Sequence, residues 1–267
     1  MKRILERIKI FMAYWFKART IYRIHPPYLY KLLDKMFDAD QCYYDFDLIW
    51  QFQMDTMRQN ENISDDQFGK KELKSTIKHR DKSTYSKQFL DQLYQLYRLT
   101  YWMKPTRILD LGSGFGMRTA TFAMAAPKSK IIRVEENEFL VQLSLKNTKG
   151  HSFSNIEYIH LEIDEFLDKQ HGTAFDLIFF ESQKDPNDNI RYLEKAIRFL
   201  SPNACIIVDG IHSSAELHRC WKEIIQWSHF NFTVETRHWG MAFCDPTLSP
   251  GNYVFCESHW KPWQKYL

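Results

Sequence analysis

Four carboxylates, Asp110, Glu135, Glu181 and Asp209, stand at or near the ends of short apolar runs. Between the first two lies a glycine loop, Gly112-Ser-Gly-Phe-Gly116. Glycine lets a backbone turn sharply and approach a ligand with no Cβ in the way. The spacing is Gly-x-Gly-x-Gly, because Met117 stands where the third glycine of a dinucleotide site belongs. Glu135 follows the loop at about twenty residues, where a carboxylate accepts hydrogen bonds from ribose hydroxyls. Glu136 beside it would point away, since successive strand side chains alternate faces. A further group could move a proton, His212 three residues after Asp209. Imidazole titrates near neutrality without tuning, whereas a lysine needs burial or a neighbouring cation to lower its pKa.

The elements that must carry these residues alternate. Apolar strands are expected at 107–111, 131–135, 156–161, 175–181 and 205–209. Helices are expected at 85–101, 139–147, 190–200 and 214–227, with Ser201-Pro-Asn203 as a turn. Segments 232–236 and 240–244 have no helical stretch between them and read as an antiparallel hairpin. Alternating strands and helices predict a Rossmann-like α/β fold with right-handed crossovers, a mostly parallel seven-stranded sheet and a reversed last strand. In such a sheet ligands sit at the carboxyl ends of the strands. That rule draws Asp110, Glu135, Glu181 and Asp209 to one edge.

Residues 1–82 read as a helical amino-terminal extension ending in a polar linker or lid at 59–82, residues 83–244 as the sheet domain, and 245–267 as a tail packed on it. A net charge of +3 spread over 267 residues leaves no nucleic-acid footprint. The five cysteines form no Cys-x-x-Cys pair, which argues against zinc and against a disulfide framework and points to a reducing cytoplasm. Cys205 and Cys244, in expected strands, read as small core residues. No apolar run reaches membrane-spanning length. Residues 1–17 set Ile4, Leu5, Ile8, Phe11, Met12, Trp15 and Phe16 at helical spacing against Lys2, Arg3, Glu6, Arg7 and Lys9. Such a helix could lie on a membrane surface, but packing on the 28–37 helix or on a second copy in a homodimer is the preferred expectation. Charges interrupt the apolar run, so it is not a secretory signal.

The stretch Arg107-Ile-Leu-Asp-Leu-Gly-Ser-Gly-Phe-Gly-Met-Arg-Thr119 resembles the first motif of class I methyltransferases that use S-adenosylmethionine. Phe175-Asp-Leu-Ile-Phe-Phe-Glu-Ser-Gln-Lys184, Tyr192-Leu-Glu194, Leu200-Ser-Pro202 and Ile206-Ile-Val-Asp-Gly-Ile-His-Ser-Ser214 are similar to the catechol O-methyltransferase-like branch. His25-Pro-Pro-Tyr28, Glu216-x-x-x-x-Trp221 and Gly240-Met-Ala-Phe243 narrow the likeness to Bacteroidetes-type members. The resemblance is strong over about 84–244 and loose before it. It implies S-adenosylmethionine as cofactor, with Asp110, Gly112, Ser113, Gly114, Gly116, Glu135, Glu162 and Glu181 around it. It also implies O-methylation of a small hydroxylated molecule, with Lys184, His212 and Asp209 as the catalytic set. Trp239, Tyr253, Phe255, Trp260 and Trp263 are candidates for an apolar acceptor wall, or alternatively for core.

Departures from the branch matter. Its metal-dependent members use an aspartate after strand four and an Asp-Asn pair after strand five, where this chain has Glu181 and then Asp209-Gly210. One oxygen ligand is missing, and Mg²⁺ demands near-octahedral oxygen coordination, so a divalent metal is not expected. Glu162-Ile163 replaces the usual Gly-Asp/Asn after strand three. These losses leave a second reading open, a catalytically silent module of methyltransferase shape that binds a partner or a membrane. The intact glycine loop and Glu135 favour the enzyme. An RNA or protein methyltransferase would show a basic groove or an Asn-Pro-Pro-Tyr-type motif after strand four, and Glu181-Ser-Gln-Lys184 is neither.

Overall fold

The structure, a computed structural model, describes residues 2–61, 87–112, 114–149, 151, 153–182 and 186–265. Most of the expected 59–82 linker, together with Ser113 and Lys184, lies outside the described residues. The helices are α1 (Lys2–Lys17), α2 (Pro27–Phe37), α3 (Asp45–Glu61), α4 (Lys87–Met103), α5 (Met117–Ala125), α6 (Glu138–Lys149), α7 (Ile163–Lys169), α8 (Pro186–Ala196) and α9 (Ala215–Ile224). The strands are β1 (Arg107–Leu111), β2 (Lys130–Glu135), β3 (Ile156–His160), β4 (Phe175–Glu181), β5 (Leu200–Asp209), β6 (Phe232–Glu235), β7 (Trp239–Phe243) and β8 (Gly251–Val254). They form one sheet in the order β3-β2-β1-β4-β5-β7-β6-β8. Only β7 runs against its neighbours.

Two expectations about the sheet are corrected. Among the described residues it has eight strands rather than seven, and the reversed strand is not the last, because β8 adds in parallel to β6. Only four residues long, β8 carries too short a pattern to read by alternation. The expected turn at Ser201–Asn203 lies inside β5, as a bulge where the register with β4 jumps from Phe175↔Leu200 to Leu177↔Cys205.

Apolar side chains alternate along the strands and fill two layers. Ile108, Ile131, Leu177, Phe179, Cys205 and Ile207 meet Leu29, Leu32, Leu33 and Met36 of α2, Leu96 and Leu99 of α4 and Phe122 of α5. Leu109, Val134, Ile178, Phe180, Ile206 and Val208 face α7, α8 and α9 on the other side. Burying one such side chain gains about 1.5–3 kcal/mol, so these layers fix which way every strand residue points. Two sequence landmarks turn out to touch. A Cβ on Gly240 would come within 2.5 Å of the Trp221 ring, so β7 needs glycine there for α9 to close on it.

Helix α3 is absent from the sequence reading. Its inward side mixes Phe46, Ile49 and Phe52 with buried Gln53 and Thr56, while Leu48 and Trp50 are exposed, and this blurs the helical period. Helix α1 does not pack on α2 as expected. Tyr14 and Ala18 bury against Cys256, with Phe11, Trp15 and Trp260 around them. The Tyr14 hydroxyl donates to the Phe255 carbonyl at 2.6 Å.

Candidate active site at the carboxyl edge of the sheet

Counting by twos along the strands places the polar residues. Asp110 follows Ile108, Arg133 and Glu135 follow Ile131, Glu181 follows Phe179, and Asp209 follows Ile207. All five therefore face the layer that holds α4 and α5. Register aligns Asp110 with Arg133, and Glu181 with Asp209. The expected gathering of carboxylates at one edge is what the strand order produces.

The glycine loop is held open from beneath. Gly112, Gly114 and Gly116 have φ of 75°, 59° and 84°, a left-handed conformation that a Cβ penalises. The Gly114 carbonyl accepts hydrogen bonds from the Arg133 guanidinium and, at 3.1 Å, from the Ser144 hydroxyl. A Cβ at Gly116 would meet both, Arg133 Nη1 and Ser144 Cβ each at 3.1 Å. Arg133 is wholly buried and lies 3.5 Å from the Glu135 carboxylate, whose other oxygen accepts from the Asn137 amide at 3.1 Å. Asp110 is also wholly buried and accepts from the Thr119 hydroxyl at 2.6 Å, which ties the first turn of α5 to β1. Such a loop, with Glu135 fixed one strand away, fits an adenosyl cofactor: narrow backbone on one side, a carboxylate for ribose hydroxyls on the other.

Glu181 and Asp209 share a cation supplied by the chain itself. Arg118, the second residue of α5, donates from Nη2 to Asp209 at 2.7 Å, and its Nη1 lies 3.7 Å from Glu181. The guanidinium sits between two rings, 5.2 Å from the centre of Phe89 and 5.3 Å from that of Phe179. Burial disfavours its charge, but Asp209, Glu181 and Asp110 outweigh burial and raise the Arg118 pKa. The signal for Arg118 was present in the sequence, as the one charged residue in Met117–Ala125. Arg133 was legible too, two residues before Glu135 and so on its face.

His212 does not join Asp209 in an open cleft. It turns into a closed cluster, its ring 4.9 Å from Tyr14 and 5.3 Å from His218, with Nε2 donating to the Thr236 carbonyl at 3.2 Å. Burial lowers its pKa to about 4, with Glu235 opposing and His218 reinforcing the shift. A different histidine reaches the edge. His238 precedes β7, and because β7 is reversed its start lies at the carboxyl ends of its neighbours. The His238 carbonyl accepts the Gly210 amide at 3.0 Å, and its Nε2 faces the Gln88 amide nitrogen at 3.3 Å. That nitrogen is a donor, so Nε2 is the acceptor of a neutral ring. Burial, then Arg237, His212 and Arg118, lower the His238 pKa to about 4. Only the strand reversal could have marked this residue in the sequence.

The remaining expectations divide. Glu162 is exposed at the start of α7, two residues beyond β3. Trp239 and Phe255 are core, and Tyr253 packs on that core, while Phe255 and Trp260 also line a small cavity beside His238. Trp260 meets Phe11 edge to face, and Trp263 meets Trp15 likewise. The aromatic tail was drawn inward by α1, whose docking site the sequence did not disclose.

A doubly wound sheet with a glycine loop after its first strand and an acid after its second defines a nucleotide-type cofactor binder of the class I kind. The chain belongs to the methyltransferase domain family, whose model matches residues 103–261. Its fold is also that of solved structures at low identity. A methyltransferase from Podospora anserina bound to S-adenosylhomocysteine is 13% identical, with a TM-score of 0.55 over 82% of this chain and 96% of that one. An O-methyltransferase from Bacillus cereus, in complex with the same molecule, is 14% identical, with a TM-score of 0.53 over 80% and 95%.

Proposed function

We propose that this protein is an S-adenosylmethionine-dependent methyltransferase that methylates an oxygen of a small hydroxylated molecule and uses Arg118 where relatives of the catechol O-methyltransferase-like branch use a metal. The observation that carries the reading is the loop of left-handed glycines propped by Arg133 and Ser144 beside Glu135. A silent scaffold has no need of a buried arginine spent on a loop carbonyl. Bound there, S-adenosylmethionine supplies a methyl already activated by its sulfonium. The chain's part is then to seat the acceptor in line with that methyl, exclude water and take a proton. Arg118 offsets one of the two charges of Glu181 and Asp209, so the edge presents hydrogen-bonding oxygens with reduced repulsion toward an oxygen nucleophile. Five cysteines free of disulfides fit a reducing cytoplasm.

Two groups compete for the proton. Lys184 holds the base position that the resemblance implies. His238 is neutral at pH 7 and has a lone pair at the edge, engaged by Gln88 until an acceptor hydroxyl displaces it. A pH–rate profile separates them. With His238 as base the rate is flat down to about pH 5 and falls as the ring protonates near 4. With Lys184 the rate climbs toward alkaline pH as the ammonium loses its proton.

Calorimetric titration with S-adenosylmethionine and S-adenosylhomocysteine tests the reading as a whole. Micromolar binding to the wild type, weakened roughly tenfold to a hundredfold in Glu135→Ala, is expected for loss of a charge-assisted acceptor worth about 1.5–3 kcal/mol. No heat from either ligand would leave the silent-module reading standing.

A further inference from the structure

Helix α1 has two apolar sides, and the fold uses one of them. Tyr14 and Ala18 are buried, and Lys261 donates to the Ala18 carbonyl at 2.7 Å, so the helix is clamped in one orientation. Leu5, Ile8, Met12 and Phe16, spaced by three, four and four residues, then line up on a side that no described residue covers. They are 55%, 52%, 41% and 68% exposed. Trp263, 49% exposed and 6.0 Å from Trp15, widens the patch from the carboxyl-terminal segment. Scattered apolar residues on a surface need no account, but an aligned stripe with an aromatic at its margin marks an interaction site.

Charge selects the occupant. The helix contains Lys2, Arg3, Arg7, Lys9 and Lys17 against the single acid Glu6. The whole chain has 36 basic and 33 acidic residues, so the protein's excess of positive charge resides in α1 and the rest is acidic by one charge. A second copy laid on this side would set one basic helix against another, with one glutamate each to offset them. An anionic lipid surface meets both needs: its acyl boundary takes the Leu5, Ile8, Met12 and Phe16 stripe, and its headgroups take the lysines and arginines. At 16 residues with this charge, α1 lies in the interface, and among the described residues no helix is long and apolar enough to cross a membrane. We propose that the protein docks on anionic membrane surfaces through the Leu5, Ile8, Met12 and Phe16 side of α1, with Trp263 at the edge of the contact.

The test is co-sedimentation of the full chain with phosphatidylcholine vesicles, with and without about 30% phosphatidylserine, at low and high salt. Binding to the serine-containing vesicles is expected, at least tenfold weaker at high salt. An Ile8→Glu/Phe16→Glu double variant should lose tenfold or more while keeping the wild-type thermal midpoint. If that variant fails to fold, Arg7→Glu/Lys9→Glu serves instead, and it should abolish the salt-dependent part of the binding. Absence of the wild type from the pellet with both vesicle types, or unchanged binding in a folded variant, overturns the proposal. So does a wild-type dimer in sedimentation equilibrium that the double variant converts to monomer, which would assign the stripe to a second copy.

Discussion

Replacing Arg118 by methionine keeps most of the side chain's length and its contact with Phe89 and Phe179 but removes the charge shared by Glu181 and Asp209. The three side chains retain only 11%, 15% and 16% of their exposure, so water compensates the two carboxylates poorly. Breaking a buried pair by deleting one partner costs about 3–5 kcal/mol. The residual exposure argues for the lower end, and loss of the cation–π contacts adds about 0.5–1 kcal/mol. For a chain of this size a loss of about 3.5–4 kcal/mol lowers Tm by roughly 7–16 °C. The decisive arm is added magnesium or manganese. Where the guanidinium is gone, the carboxylate pair faces an opening that a divalent ion can fill, and ion at ten times its Kd restores about 1.4 kcal/mol. Differential scanning calorimetry of both proteins with and without the ion reads this directly. We expect the variant to regain a few degrees and the wild type to stay unmoved, with wild-type turnover insensitive to chelator. A variant as stable as the wild type, or a wild type stabilised by the ion to the same degree, would refute the assignment of Arg118 as the resident cation.

Other outcomes follow from the same geometry. Gly116→Ala should weaken S-adenosylhomocysteine binding in calorimetry, since its φ of 84° is strained for alanine and its Cβ presses on Arg133 and Ser144 at 3.1 Å. Gly240→Ala should lower stability by about 1–3 kcal/mol in urea unfolding, because the Trp221 ring, 2.5 Å from the new Cβ, has to move. His212 and His238 are held neutral, with pKa values near 4 against about 6.5 in the unfolded chain. The unfolded state therefore takes up protons first on acidification. Stability contributed by the two rings is complete above about pH 6.5 and declines as pH falls toward 4, and urea midpoints measured across that window should drop accordingly. Midpoints independent of pH between 7 and 5 would show that the rings are not held neutral.

Much of the fold was legible because its signals are local. Four of the five strands of the parallel half are short apolar runs with a carboxylate at or next to their ends, and alternation alone assigns Asp110, Glu135, Glu181 and Asp209 to one layer. The misses are tertiary. Helix α3 buries Gln53 and Thr56 among its apolar residues and so breaks its own period, and β8 is a four-residue addition whose partner β6 gives it meaning. At the site, the glycine loop declared itself; Arg133 inside an apolar strand and Arg118 in an apolar helix stand out as lone charges, but what each holds, the Gly114 carbonyl for one and Glu181 with Asp209 for the other, takes the tertiary fold to show. His212 was a reasonable reading of a histidine near Asp209. The chain instead sends it under Tyr14 and brings His238 to the edge by reversing β7.

Clamping of α1 onto the carboxyl-terminal segment also bears on how the chain is made. The bonds that fix the helix, Tyr14 to the Phe255 carbonyl, Thr20 to Gln264 and Lys261 to Ala18, close over 241, 244 and 243 residues. During synthesis α1 emerges well before residues 255–264, and its docking groove does not exist until those have followed. At about 5–20 residues per second the helix waits ten seconds or more with both apolar sides in water. Strands β1 to β5 all precede that segment, so they can pair before α1 docks. Docking of α1 thus has to wait for that segment, and until then the nascent chain carries the helix with its buried side, Tyr14 and Ala18, still uncovered.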